Sequence, residues 1–240
     1  MDEYEIAQAT FECHIRQNTY PGRGLVVGRS AAEKAWLIVY WIMGRSAHSQ
    51  NRRFVAEGLV LRTVPVDPSQ VRDPSLIIYE GMLEHPGVYL VSNGDQTRTI
   101  YEALRLGGTF EGALATRERE PDPPNYTPRI SAMLDLRLEP QLALSLLKGN
   151  RADPAYTDRY TFRPAPPPPG LGYGLTTYMG DGSPLPPFAG DPLLLPVEGR
   201  AEDVLYAYWD ALDADNRVAL AVKRIPCSGE ASEILVVNRF

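Results

Sequence analysis

Ala35-Trp36-Leu37-Ile38-Val39-Tyr40-Trp41-Ile42-Met43 is an unbroken apolar run of nine residues that stops at Gly44. It is rich in β-branched and aromatic side chains, and it is far too short to span a bilayer. A strand half exposed to water alternates apolar and polar residues, and this one does not. The run therefore predicts a strand covered on both faces, at the centre of the molecule.

Further short apolar segments lie on either side. Leu25-Val26-Val27 precedes the run, and Gly58-Leu59-Val60-Leu61 leads into Val64 before Pro65 closes it. Ser75-Leu76-Ile77-Ile78-Tyr79 and Val88-Tyr89-Leu90-Val91-Ser92 follow, each bounded by Gly, Pro, Asp or Asn, as strands are. A helix is expected over residues 97–106, with Ile100, Tyr101 and Leu104 on one face and Gly107-Gly108 as its stop. A second, short one is expected over 110–116, and residues 117–128 read as a charged, proline-containing loop. Strands resume at 129–136 and 142–147. Residues 164–169 are almost pure proline and read as an extended surface excursion without a packing role. Residues 202–212 carry a helical stripe of Val204, Leu205, Tyr208 and Leu212, and residues 218–225 and 233–237 predict a closing hairpin. Strands, then helices, then strands again predict an α+β fold with mostly antiparallel sheet: two layers of sheet with helices outside. No repeat or composition break divides the chain, so residues 1–240 read as a single domain interrupted by the excursion at 164–169.

Charge and composition exclude several classes of function. The formal charge of −6 argues against general affinity for nucleic acid or anionic membrane, because counterion release needs a basic face. A small anionic ligand remains compatible, since a few arginines make a positive pocket inside an acidic protein. Cys13 and Cys227 are far apart and form no CxxC pair, which fits a reducing compartment rather than a disulfide framework. The start Met1-Asp2-Glu3-Tyr4 has no signal-peptide pattern, so a soluble cytoplasmic protein is expected. His14, His48 and His85 are scattered without metal-ligand spacing, and no GxSxG is present. No metal and no organic cofactor are expected.

Three polar segments have alternative readings. Gly22-Arg23-Gly24 with Gly28 is not a dinucleotide fingerprint, because a proline precedes it and a strand follows. It is either a turn into an edge strand or a place where Arg23 meets an anion. Gly44-Arg45-Ser46-Ala47-His48-Ser49-Gln50-Asn51-Arg52-Arg53 directly follows the apolar run. Its guanidinium groups and hydroxyls suit a phosphate cradle, or else form a solvated loop. Asn93-Gly94-Asp95-Gln96-Thr97 opens the first predicted helix, and Asp95 is either its N-cap or part of a ligand site at the helix start. In the acidic loop, one of Glu118, Glu120 and Asp122 is a potential general base, with Glu118 read as merely hydrated.

Taken in order, these segments resemble the archaeal-type IMP cyclohydrolase and its bacterial relatives. The resemblance is carried by Tyr20-Pro21-Gly22-Arg23-Gly24-Leu25-Val26-Val27-Gly28, Gly44-Arg45-Ser46 with Asn51-Arg52, and Ser75-Leu76-Ile77-Ile78-Tyr79. It continues through Val91-Ser92-Asn93-Gly94-Asp95-Gln96-Thr97 and Pro121-Asp122-Pro123-Pro124-Asn125-Tyr126-Thr127-Pro128-Arg129-Ile130, and weakly near Thr177-Tyr178-Met179-Gly180-Asp181-Gly182. Archaeal members carry Ser-His at Asp95-Gln96, and Tyr126 is an extra residue against their pattern.

The resemblance implies a four-layer αββα fold like that of N-terminal nucleophile hydrolases, but without the nucleophile, since Met1-Asp2 offers no Ser, Thr or Cys. It implies ring closure of formyl-AICAR to IMP with loss of water. Tyr79 and Glu120 match the family's acid/base pair, with Glu120 assigned to the amide proton and Tyr79 to the formyl oxygen, or the reverse. Arg23, Arg45 and Arg52 would contact phosphate or polarise carbonyls, Arg52 being counted as catalytic. Asn93, Asp95, Asn125 and Arg129 would fix the ribose or base edge, with Ser46, Asn51, Gly94 and Thr127 as further binding residues. The partners expected are a purine nucleotide and further copies of the chain, as a homo-oligomer. Two other functions fit the same residues: closure of a purine-like ring on a modified nucleotide, and a non-catalytic nucleotide-binding paralogue.

Overall fold

A computed structural model of the chain describes residues 1–71 and 78–240. In chain order it contains α1 (Glu3–Phe11), a π-helical turn (Glu12–Arg16), β1 (Gly24–Arg29), β2 (Ala35–Met43) and the short α2 (Ala47–Gln50). β3 (Arg53–Glu57), β4 (Val60–Val64), β5 (Glu80–His85) and β6 (Val88–Ser92) follow, then α3 (Gln96–Arg105) and α4 (Phe110–Ala115). β7 (Arg129–Asp135), β8 (Leu142–Gly149), β9 (Thr157–Phe162), β10 (Leu171–Thr176) and β11 (Leu193–Pro196) precede α5 (Ala201–Ala211). β12 (Arg217–Pro226) and β13 (Glu233–Asn238) form the closing hairpin.

The strands make two sheets. One has the order β11-β10-β1-β2-β12-β13, the other runs β3 to β9 in sequence, and neighbouring strands pair antiparallel throughout. Every residue of β2 is buried, and its pleat sorts the apolar run into two sets. Trp36, Ile38, Tyr40 and Ile42 join Met82, Val91, Ile130 and Leu144 of the other sheet in one core. Leu37, Val39, Trp41 and Met43 pack with Phe11, Ile15, Val204 and Tyr208 of the helices on the outer face. A third core joins Ile100, Phe110 and Leu114 of α3 and α4 to Val88, Leu90 and Met133 of the second sheet. The α+β reading and the antiparallel sheets therefore hold, and β2 is the strand they are built around.

Several expectations need correction. The strand expected over Ser75-Leu76-Ile77-Ile78-Tyr79 falls largely on residues 72–77, outside the described residues. Ile78 and Tyr79 themselves precede β5, and Thr63 holds Tyr79 through both backbone and side chain, its amide donating to the Tyr79 carbonyl at 3.0 Å. The Tyr79 amide donates to Thr63 Oγ1 at 2.9 Å, and the β4–β5 register shifts beside it. β1 is interior, between β2 and β10, and is not an edge strand. The proline tract does pack: Pro167 is buried, Pro169 bridges to Arg29, and the Pro169 carbonyl accepts from the Tyr4 hydroxyl at 3.0 Å. Among the described residues, no helix is long and apolar enough to cross a membrane.

Candidate active site

Four backbone segments meet where β1 begins and β2 and β10 end. Gly22 sits at φ +73°, and a Cβ there would lie 2.2 Å from Thr177 Oγ1. Only glycine therefore lets the chain turn so close to the segment after β10. The turn delivers Arg23 into the interior. Its Nη1 donates to the Asn93 carbonyl at 2.7 Å and its Nη2 to Glu120 Oε2 at 2.8 Å. Both side chains are under a tenth exposed. Burial works against the Arg23 charge, yet the adjacent Glu120 carboxylate raises its affinity for the proton well above the ordinary arginine range.

The end of β2 supplies a second group of cations. Ser46 caps α2, accepting from the Ser49 amide at 3.2 Å, and Gly44 packs so closely on Ser49 that a Cβ would not fit. This short helical turn places Arg45, His48 and Arg52 at the rim and wall of a cavity of about 560 Å³. Arg52 is buried and donates to the Ser49 and Met43 carbonyls at 2.9 and 3.1 Å, and among the described residues no carboxylate pairs with it. Arg45 pairs with Asp181 of the segment after β10 and lies over the Tyr20 ring, 4.9 Å from its centre. Burial pushes the Tyr20 phenol up, while Arg52, Arg23 and Arg45 all pull it down.

The acidic loop contributes the carboxylates. Glu120 is buried and its amide donates to the Thr127 carbonyl at 2.9 Å. Asp122 accepts from the Thr127 amide at 2.7 Å and also from the Thr127 hydroxyl. Asn125 Oδ1 accepts from the Leu185 amide at 3.1 Å, tying this loop to the C-terminal third.

The family model described as IMP cyclohydrolase-like protein matches residues 20–229. The chain belongs to this family. A search among curated proteins finds no match.

Of the family-implied residues, this IMP cyclohydrolase-like protein gathers Arg23, Arg45, Ser46, Arg52, Glu120, Asn125 and Thr127 around the cavity. Tyr79 lies in the core between the sheets, with its hydroxyl 2.6 Å from that of Tyr40. Asn51 faces away, exchanging hydrogen bonds of 2.8 and 2.7 Å with the Asp67 backbone. The Asn93 side chain joins β6 to β7, donating to Pro128 and accepting from Ile130 and Gln96. Gly94 packs against Arg129 and Gln96. Asp95 does not cap α3, because its carboxylate is drawn to Arg117 and Arg129 instead. Burial would raise the Asp95 carboxyl, but these two arginines hold it below the ordinary aspartate value.

Sequence reasoning did not assign Tyr20, Thr177, Tyr178 and Leu185 to the site, and raised Asp122 only as one of three candidate bases, though all five line the cavity. Tyr20, Asp122, Thr177 and Tyr178 lie inside the stretches that carry the family resemblance, which was the available signal. Leu185 lies outside them and had none. Among the described residues, no cluster of His, Cys, Asp or Glu is arranged to hold a metal ion.

Proposed function

We propose that this family member closes formyl-AICAR to IMP with loss of water. One observation carries the reading: Arg23, Arg45 and Arg52 surround a single cavity that also exposes one wall to the buried carboxylate of Glu120. An anionic nucleotide suits the arginines, of which Arg52 has only carbonyl partners to give up and Arg45 pairs with the exposed Asp181 and the Gly182 carbonyl. Both reacting groups belong to one substrate molecule, so the protein needs mainly to hold the productive rotamer and move protons. Glu120, held in place by its ion pair with Arg23, accepts the amide proton as the carboxamide nitrogen attacks. Tyr79 is assigned to the formyl oxygen on family grounds, with Tyr40 orienting its hydroxyl. The arrangement of helices outside two sheets supports the αββα layering of N-terminal nucleophile hydrolases.

The test is absorbance-monitored turnover of formyl-AICAR by wild type, Glu120→Gln and Tyr79→Phe. Turnover lost in both variants supports the assignment. Inactive wild type that still binds IMP or AICAR would replace it with closure of a modified nucleotide or with a binding role.

A further inference from the structure

Ring closure to a purine moves two protons. As the carboxamide nitrogen bonds to the formyl carbon, that nitrogen gives up one proton and the formyl oxygen takes one. The carbon–oxygen bond then breaks, the oxygen leaves as water with a second proton, and the formamide nitrogen loses its proton as the C=N bond forms. Two nitrogens thus each supply a proton to one oxygen. Glu120 is held by Arg23 and accounts for one of these transfers.

A separate hydroxyl chain lines the same cavity. Tyr178 OH lies 2.6 Å from Thr127 Oγ1, and Thr127 Oγ1 donates to Asp122 Oδ2, while Asp122 Oδ1 accepts from the Thr127 amide at 2.7 Å. Tyr178 is itself held by stacking on Tyr20, with ring centres 6.0 Å apart, and by the Gly22 turn against its ring. We propose that Tyr178 is a second proton-transfer residue of this cavity, with Thr127 and Asp122 behind it as a relay serving the loss of water. This rests on the ring-closure reading and adds a residue to it.

The polarity of the chain follows from proton counting. Thr127 has one hydroxyl proton, and an ionised Asp122 claims it. Tyr178 must then donate to Thr127, and its oxygen offers the cavity lone pairs that can receive a proton from a substrate N–H. Once a proton has passed to Asp122, each hydroxyl turns round and Tyr178 presents its O–H to the departing oxygen. One proton moves in each direction and no phenolate is formed. The surroundings favour this cycle. Burial raises the Asp122 carboxyl above its ordinary value, Thr127 lowers it in opposition, Glu120 raises it further and Arg23 lowers it. Burial likewise pushes the Tyr178 phenol up to about 12, against Thr127 and Arg23 and with Asp122 and Tyr20, so it stays protonated and conducts rather than ionises.

The test compares kcat and KM for formyl-AICAR, and IMP affinity by calorimetry, across wild type, Tyr178→Phe, Thr127→Val, Thr127→Ser and Asp122→Asn. Tyr178→Phe and Thr127→Val should lower kcat roughly 10²-fold with IMP affinity retained, the size expected for loss of one acid–base group. Thr127→Ser, which restores the hydroxyl, should recover most of the loss, and Asp122→Asn should flatten the acid limb of the kcat profile. Undiminished kcat in Tyr178→Phe overturns the relay while leaving ring closure standing. Equal losses in Thr127→Ser and Thr127→Val, accompanied by weakened IMP binding, also overturn it by showing a merely structural role. Wild type without turnover removes ring closure itself, and the relay with it.

Discussion

Arg23 Nη2 and Glu120 Oε2 lie 2.8 Å apart, on side chains only 9% and 7% exposed, and nothing in the local sequence of either residue announces the other. The pair joins the start of β1 to the acidic loop across 97 residues of chain. A buried ion pair adds little net stability compared with an apolar pair, but removing one partner strands the other charge. Glu120→Gln should therefore cost about 3 kcal/mol. In a chain of this length that lowers the melting temperature by roughly 6–12 °C, measurable by calorimetry. The double variant Arg23→Met/Glu120→Met should regain most of that stability while remaining inactive.

The hydroxyls of Tyr40 and Tyr79 form a second buried pair, 2.6 Å apart. If Tyr79 exchanges a proton with substrate, Tyr79→Phe should lower kcat about 10²-fold with little change in KM. Tyr40→Phe leaves the reacting hydroxyl in place without its orienting partner, so its kcat should fall by a smaller factor. Steady-state kinetics on the two variants would show the order, and a larger loss in Tyr40→Phe would contradict it.

Arg45 is neutralised by Asp181 at the rim of the cavity, with the two side chains 38% and 52% exposed. A nucleotide phosphate must compete with that carboxylate. Asp181→Asn should tighten IMP binding roughly two- to five-fold at low salt, the scale of an exposed ion pair, and the gain should shrink as salt rises. Calorimetric titration at two ionic strengths measures both effects, and weaker binding in the variant would contradict the competition.

Lys223 of β12 carries a fully buried ammonium that pairs with Glu84 of β5 and donates to the Leu59 carbonyl at 2.9 Å, tying the two sheets together. Glu84 keeps a second partner, the Ser232 hydroxyl at 2.6 Å. Glu84→Gln should thus cost about 3 kcal/mol, and Lys223→Met should cost less, because the stranded Glu84 is partly exposed and keeps Ser232. Burial lowers the Lys223 pKa, opposed by Glu84. Between that lowered value and the ordinary lysine value near 10.4, the unfolded chain binds a proton that the folded one does not, so stability rises with pH. Urea unfolding across this range should show the rise in wild type and its absence in Lys223→Met.

The central sheets were legible because burial writes itself into composition. The nine residues of β2 need apolar side chains on both faces, and the α5 stripe of Val204, Leu205 and Tyr208 needs only one. Strands with little to bury were not legible. β9 reads Thr-Asp-Arg-Tyr-Thr-Phe and lies at a sheet edge, largely exposed. β10 carries Gly172 and Gly174, where a Cβ would strike Val26 and the backbone of neighbouring strands. Helix α1 did have a local signal, the reciprocal Asp2–Glu5 capping box, which its weak apolar stripe obscured. For the site, polar segments flanking β1 and β2 pointed to the arginines, while the family resemblance singled out Glu120 within the acidic loop. Tyr178 was not singled out, and Asp122 only as one of three carboxylates, because their importance comes from a contact through Thr127 that only the folded chain creates.

The most direct measurement is a progress curve for purified wild-type protein with formyl-AICAR at neutral pH, with the product identified by chromatography. Stoichiometric appearance of IMP well above the uncatalysed rate is the predicted result. Unchanged formyl-AICAR alongside measurable IMP binding would contradict it, leaving a nucleotide pocket whose substrate is another heterocycle or none.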